Sequence, residues 1–99
     1  MGTEINIKEK SKIKIHLPKN YKAVMYNDDF TTMEFVVEIL VGIFHKSLEE
    51  ATTIMLDVHE KGKGVAGIYS YDIAKTKVKN AMALAKEYGF PFKMSVEEE

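Results

Sequence analysis

The chain predicts an α+β domain: a small three-stranded antiparallel sheet with three helices packed on one face, in the order β-α-α-β-α-β. Three observations carry this. Short β-rich runs at Tyr21–Tyr26 and Val65–Tyr69 are bounded by turn residues or glycine. Apolar residues recur at helical spacing in three other stretches. Each of those stretches opens on a hydroxyl residue able to cap it.

Tyr21–Tyr26 (YKAVMY) lies between Asn20 and Asn27 and reads as the first strand. Thr31-x-x-Glu34 has the form of a capping box, predicting a helix from about Thr32 to His45. Met33, Val36, Val37, Leu40, Ile43 and Phe44 form its apolar stripe, and Phe35 and Ile39 add a second. Two stripes predict a helix covered on two sides. Ser47-x-x-Glu50 repeats the capping pattern and opens a second helix, with Leu48, Ala51, Ile54, Met55 and Val58 inward and Gly62 as its left-handed stop. After the strand Val65–Tyr69, Ser70 caps a third helix with Asp72 near the positive end of its dipole. Ile73, Ala74, Val78, Ala81, Met82, Ala85 and Tyr88 line that helix until Gly89 and Pro91 end it. Phe92–Val96 alternates large and polar residues and reads as the last strand.

Residues 1–18 precede this domain as a flexible arm, and residues 19–99 form the core. In the arm Ile5, Ile7, Ile13, Ile15 and Leu17 alternate with polar residues, a strand-like period with no turn to a partner. Four lysines there (Lys8, Lys10, Lys12, Lys14) face two glutamates (Glu4, Glu9), a net +2 within a chain of −1, so the remainder carries −3.

With 99 residues, 45% hydrophobic and 29% charged, the chain can bury one modest core. It has no cysteine, which excludes disulfides, a thiolate nucleophile and a Cys-based zinc site and suits a cytoplasmic protein. The longest apolar run, Ile39 to Phe44, is far short of the roughly 20 residues that span a bilayer, and the first residues lack a basic-then-apolar leader pattern. Neither a membrane nor nucleic acid is expected as a partner, since a near-neutral chain has no general attraction for polyanions.

Chemistry concentrates at Asn27-Asp28-Asp29-Phe30-Thr31-Thr32-Met33-Glu34-Phe35. Asn and Asp belong in turns, which accounts for one or two of these polar residues. It accounts less well for polar groups packed against Met33, Phe35 and Val36 on a loop between rigid elements, the usual makings of a binding site. Other patterns are weaker. Gly62-x-Gly64-x-x-Gly67 fits a dinucleotide fingerprint by letter, but a helix precedes it and a strand follows, the reverse of what the mechanism needs. His45 and His59 with Asp28, Asp29 or Asp57 lack metal-ligand spacing, and no cofactor is expected. Asp28 and Asp29 as an acid–base pair would be adjacent residues, which tend to point apart. His59, four residues after Met55, is either a favourable charge at a helix C-terminus or a ring beside an apolar slot.

Taken in order, the spaced motifs resemble the ClpS family, adaptors that deliver N-degron substrates to Clp AAA+ unfoldases. The resemblance covers residues 20–97. It rests on Asn27-Asp28-Asp29-Phe30-Thr31-x-Met33-Glu34-Phe35-Val36, Ala51-Thr52-x-x-Met55-Leu56-x-Val58-His59-x-x-Gly62-Lys63, Gly67-Ile68-Tyr69 and Thr76-Lys77-Val78. It implies a non-enzymatic adaptor that binds free N-terminal Leu, Phe, Tyr or Trp and docks on the N-terminal domain of a ClpA or ClpC type unfoldase. By similarity Asn27, Asp29 and His59 would bind the α-amino group. Thr31, Met33, Val36, Met55 and Phe92 would line the side-chain pocket, with Tyr26 and Asp28 at its wall and Met33 as gatekeeper. Tyr26 and Phe92 are bulkier than the aliphatic residues typical of the family at those places and would tighten the pocket; Thr32 replaces a common proline. The alternative is a small protein-interaction domain that uses an exposed helix face and has no N-terminal-residue pocket.

Overall fold

A computed structural model describes residues 18–99. The expected arm lies outside the described residues, Pro18 apart. The elements are β1 (Tyr21–Tyr26), α1 (Met33–Gly42), α2 (Leu48–Lys61), β2 (Lys63–Tyr69), α3 (Tyr71–Glu87) and β3 (Met94–Glu98). Their order is the predicted β-α-α-β-α-β. β1 is the central strand, antiparallel to both neighbours in the order β2-β1-β3. A bulge between Ala23 and Val24 shifts the pairing with β2, so that Ala23 faces Gly67 and Val24 faces Val65.

The helices cover one face of the sheet. Ala23 and Met25 alternate with Lys22, Val24 and Tyr26, so the first pair enters the core with Ala66 and Met94. From α1, Phe35, Val36, Ile39 and Leu40 are all buried, the two-sided coverage expected of its double stripe. From α3 the buried set is Ala74, Val78, Ala81 and Ala85. Small side chains on that stripe let α3 lie close against the strands. Ile73, Met82 and Tyr88, expected inward, are exposed because this buried stripe is narrower than their spacing requires. Leu48 is likewise exposed, standing at the first position of α2 beside its cap.

Element ends show which side chains compete for the backbone. The N-cap of α1 is Thr32, not Thr31: its hydroxyl accepts from Phe35 N–H at 3.1 Å, while Thr31 is engaged with Asp28. The same helix stops at Gly42 rather than His45. Glycine is a poor helix former, Lys77 Nζ claims the carbonyl of Ile43 at 2.7 Å, and His45 turns the chain with φ 55°. Ser47 and Glu50 form the full capping box. Ser70 occupies the N-cap of α3, but its hydroxyl makes no capping bond. β3 starts two residues later than Phe92, which is buried before the strand begins.

The three glycines of the dinucleotide-like string serve the fold. Gly62 ends α2 at φ 89°, and a Cβ on Gly64 would stand 2.8 Å from Val58 Cγ2. Gly67 leaves room for the ring of Tyr69. α2 and β2 therefore pack at a separation that larger residues would prevent.

Candidate functional site

The loop 27–32 is fastened at both ends. Asn27 N–H donates to Gly62 O at 2.9 Å, which ties the end of β1 to the end of α2, the helix that carries His59. Thr32 caps α1 at the other end. Between them Asp28 acts as a clamp: Oδ1 accepts from the N–H groups of Phe30 (2.9 Å) and Thr31 (2.7 Å), and Oδ2 accepts from the Thr31 hydroxyl (2.7 Å). Burial pushes the Asp28 carboxyl up, but these three donors outweigh it and hold the group below its ordinary value.

This loop, the first turn of α1 and the last turns of α2 enclose an open cavity of about 480 Å³, a size typical of ligand sites. Asn27, Asp28, Asp29 and Thr31 line it from the loop, Met33 and Val36 from α1, and Met55 and His59 from α2. Its inner side is apolar, since Val36 and Val58 are buried, while Met33 stands at the rim with 43% of its surface exposed. Met55 and His59 reach the cavity together because residues four apart share a helix face. Among the described residues, the side chains of Asn27, Asp29 and His59 make no hydrogen bond or ion pair. Asp28 is committed to the loop and Asp29 is not.

Tyr26 and Phe92 do not line this cavity. Tyr26 follows Met25 in β1 and so faces the opposite side of the sheet, where its hydroxyl bonds Ser95 Oγ at 2.8 Å. Phe92, 4% exposed, packs edge-on against Phe35, ring centroids 6.1 Å apart, within the aromatic core. The bulk of these two rings is therefore taken up by sheet face and core and does not tighten the cavity. Phe30, Thr32, Glu34 and Val58 also line it; the first three lie in the polar stretch singled out in the sequence, but none of the four is among the residues expected to line the pocket. Phe30, 75% exposed, had a usable signal: an aromatic within a polar loop, outside any apolar period.

No group of three or more His, Asp or Glu side chains able to hold a metal ion occurs among the described residues, and no described helix is long and apolar enough to cross a membrane.

A family model described as "ATP-dependent Clp protease adaptor protein ClpS" matches residues 16–95. The chain belongs to the ClpS family. Curated relatives agree along the whole length. The Clp protease adapter protein ClpS of Acetivibrio thermocellus is 48% identical over 99 residues, covering 100% of both chains. That of Lawsonia intracellularis is 53% identical over 85 residues, covering 86% of this chain and 78% of its own. Among solved structures, Agrobacterium tumefaciens ClpS2 bound to L-phenylalaninamide matches with a TM-score of 0.81 and 40% identity, covering 84% of this chain and 100% of that one. A ClpS-family chain is an adaptor of the Clp protease and not itself an enzyme.

Proposed function

We propose that this ClpS-family adaptor captures proteins by a free N-terminus whose first residue is Leu, Phe, Tyr or Trp. It then delivers them to the N-terminal domain of a ClpA or ClpC type AAA+ unfoldase in the cytoplasm. One observation supports capture above the rest: three polar side chains without a hydrogen-bond or ion-pair partner among the described residues, Asn27, Asp29 and His59, border a cavity whose inner side is apolar. An α-ammonium offers three donors and a positive charge; a carboxylate, an amide oxygen and a neutral imidazole are matching acceptors. Thr31, Met33, Val36 and Met55 surround the space left for the side chain. L-phenylalaninamide, the ligand of the solved relative, carries a free α-amine beside an aromatic side chain and is the kind of ligand this arrangement suits.

Both halves of such a ligand contribute. Each charge-assisted hydrogen bond of the amine is worth about 1.5–3 kcal/mol, about as much as burying a whole Leu or Phe side chain, about 1.5–3 kcal/mol. Acetylation removes the charge and donors, and a small first residue leaves the apolar part empty. A β-branched first residue is stiff at χ1 and crowds the rim at Met33. Fluorescence anisotropy with peptides beginning Leu, Phe, Ala or acetyl-Leu tests the reading. Binding of the first two alone supports it; equal binding of acetylated and free Leu peptides refutes it and favours a helix-face interaction domain.

A further inference from the structure

A smaller cleft of about 210 Å³ adjoins the first cavity and shares Thr32 and Glu34 with it. Its other lining residues are Phe35, Glu38, Tyr88 and Phe90. Glu34 and Glu38 are four residues apart and lie on one side of α1. The opposite wall is made by the end of α3. There Gly89 at φ 80° and the bond from Phe90 N–H to Ala85 O (2.9 Å) fold the chain back on itself. That turn sets Tyr88 and Phe90 against Phe35, with ring centroids 5.1 and 5.0 Å away. Tyr88 is 54% exposed.

Two features of this cleft point to one chemistry. Like charges at this helical spacing repel, and among the described residues neither Glu34 nor Glu38 has an ion-pair or hydrogen-bond partner. The aromatic wall offers a second attraction to a cation through its ring faces, strongest for a guanidinium. We infer that the cleft receives a Lys or Arg side chain of the substrate itself, at about position three to five counted from its first residue. The shared rim at Thr32 and Glu34 is what assigns the occupant, because a chain leaving the first cavity on that side would pass over the second. From Glu34 to Glu38 the helix rises about 6 Å, roughly two residues of extended chain.

This inference rests on the capture reading, and the test separates the two. Leu-initiated peptides carrying Arg, Gln or Glu at each of positions three to five are titrated against the full chain, with acetylated controls. At one of these positions Arg should bind roughly two- to fivefold tighter than Gln, and Glu weaker than Gln. The preference should vanish in Glu38→Gln, shrink in Tyr88→Ala and fade at high salt, while the Gln peptide binds all variants alike. That last measurement also shows that the variants are folded. If Leu peptides bind but Arg and Gln are equivalent, the cleft is overturned and capture stands. If Glu38→Gln keeps the full Arg preference, the charge lies elsewhere and the cleft is again overturned. If no free Leu peptide outbinds its acetylated control, capture fails and the cleft falls with it.

Discussion

Asp28 offers the sharpest test of how the site is built, because its carboxylate lines the cavity yet accepts three hydrogen bonds from its own loop. Its three hydrogen bonds, at 2.7–2.9 Å, span Phe30 and Thr31. At a net value of about 1 kcal/mol each, less for the exposed bond to Phe30, Asp28→Ala removes about 2 kcal/mol of loop order. With about 1.4 kcal/mol per factor of ten, the ordered population falls by up to roughly 30-fold, and apparent affinity falls with it. The anchors at Asn27 N–H and Thr32 remain, so the expected loss for a Leu-initiated peptide lies between about threefold and 30-fold. Asp28→Asn keeps an acceptor for the two N–H groups and should lose less. The depressed value of the carboxyl fixes the sign of the pH effect. Its contribution is complete above the ordinary 3.8 and disappears as pH falls through the lower native value. The advantage of wild type over Asp28→Asn in acid unfolding should therefore persist down to about that ordinary value and fade only below it. Anisotropy measures the affinities, and circular dichroism confirms the fold. An Asp28→Ala chain that is folded and binds with unchanged affinity would refute the clamp.

Phe92→Ala should cost about 3–5 kcal/mol in urea unfolding, since it empties a buried aromatic site, whereas Phe92→Leu and Tyr26→Phe should leave the ranking of first residues unchanged. A shifted ranking in either conservative variant would place those rings in the pocket after all. Met33→Ala should admit Ile and Val at the first position, read out on a peptide panel, and an unaltered panel would remove Met33 as gatekeeper. Deleting residues 1–17 should leave peptide affinity within about twofold while slowing degradation in a reconstituted Clp assay; lost affinity would instead put the arm in the capture step.

Where the sequence was legible, the signal was periodic. The double stripe of α1, the Ala74, Val78, Ala81 and Ala85 part of the α3 stripe and the Ser47–Glu50 box each depend on one element alone, and each recurs in the structure. Two of the misreadings depend on a side chain outside the pattern being read. Thr31 and Thr32 are equally able to cap α1, and Asp28 settles the matter by taking the hydroxyl of Thr31. Phe92 looks like the first residue of an alternating strand, but the neighbouring Phe35, remote in sequence, draws its ring into the core. At the site, Asn27, Asp28, Asp29, Thr31, Met33, Val36, Met55 and His59 line one cavity as a group. Their pattern carried no sign of which carboxylate would bind the loop and which would remain unengaged.

That division between adjacent carboxylates explains how a site can be both firm and selective. If Asp28 and Asp29 were both free, the loop would be ordered only when a ligand arrived, and the ordering would subtract from affinity. With Asp28 clamping the turn beforehand, Asp29 faces the cavity from an already fixed backbone. Association still costs an estimated 4 kcal/mol or more in lost translational and rotational freedom, more than burial of the side chain alone supplies and of the same order as the bonds of the ammonium. A ligand offering only one of the two contributions therefore recovers little net affinity. An adaptor has to hold its cargo and also surrender it. On the proposed capture, a margin that needs both contributions would allow both, because withdrawing the first side chain from the apolar part of the cavity would remove one of them.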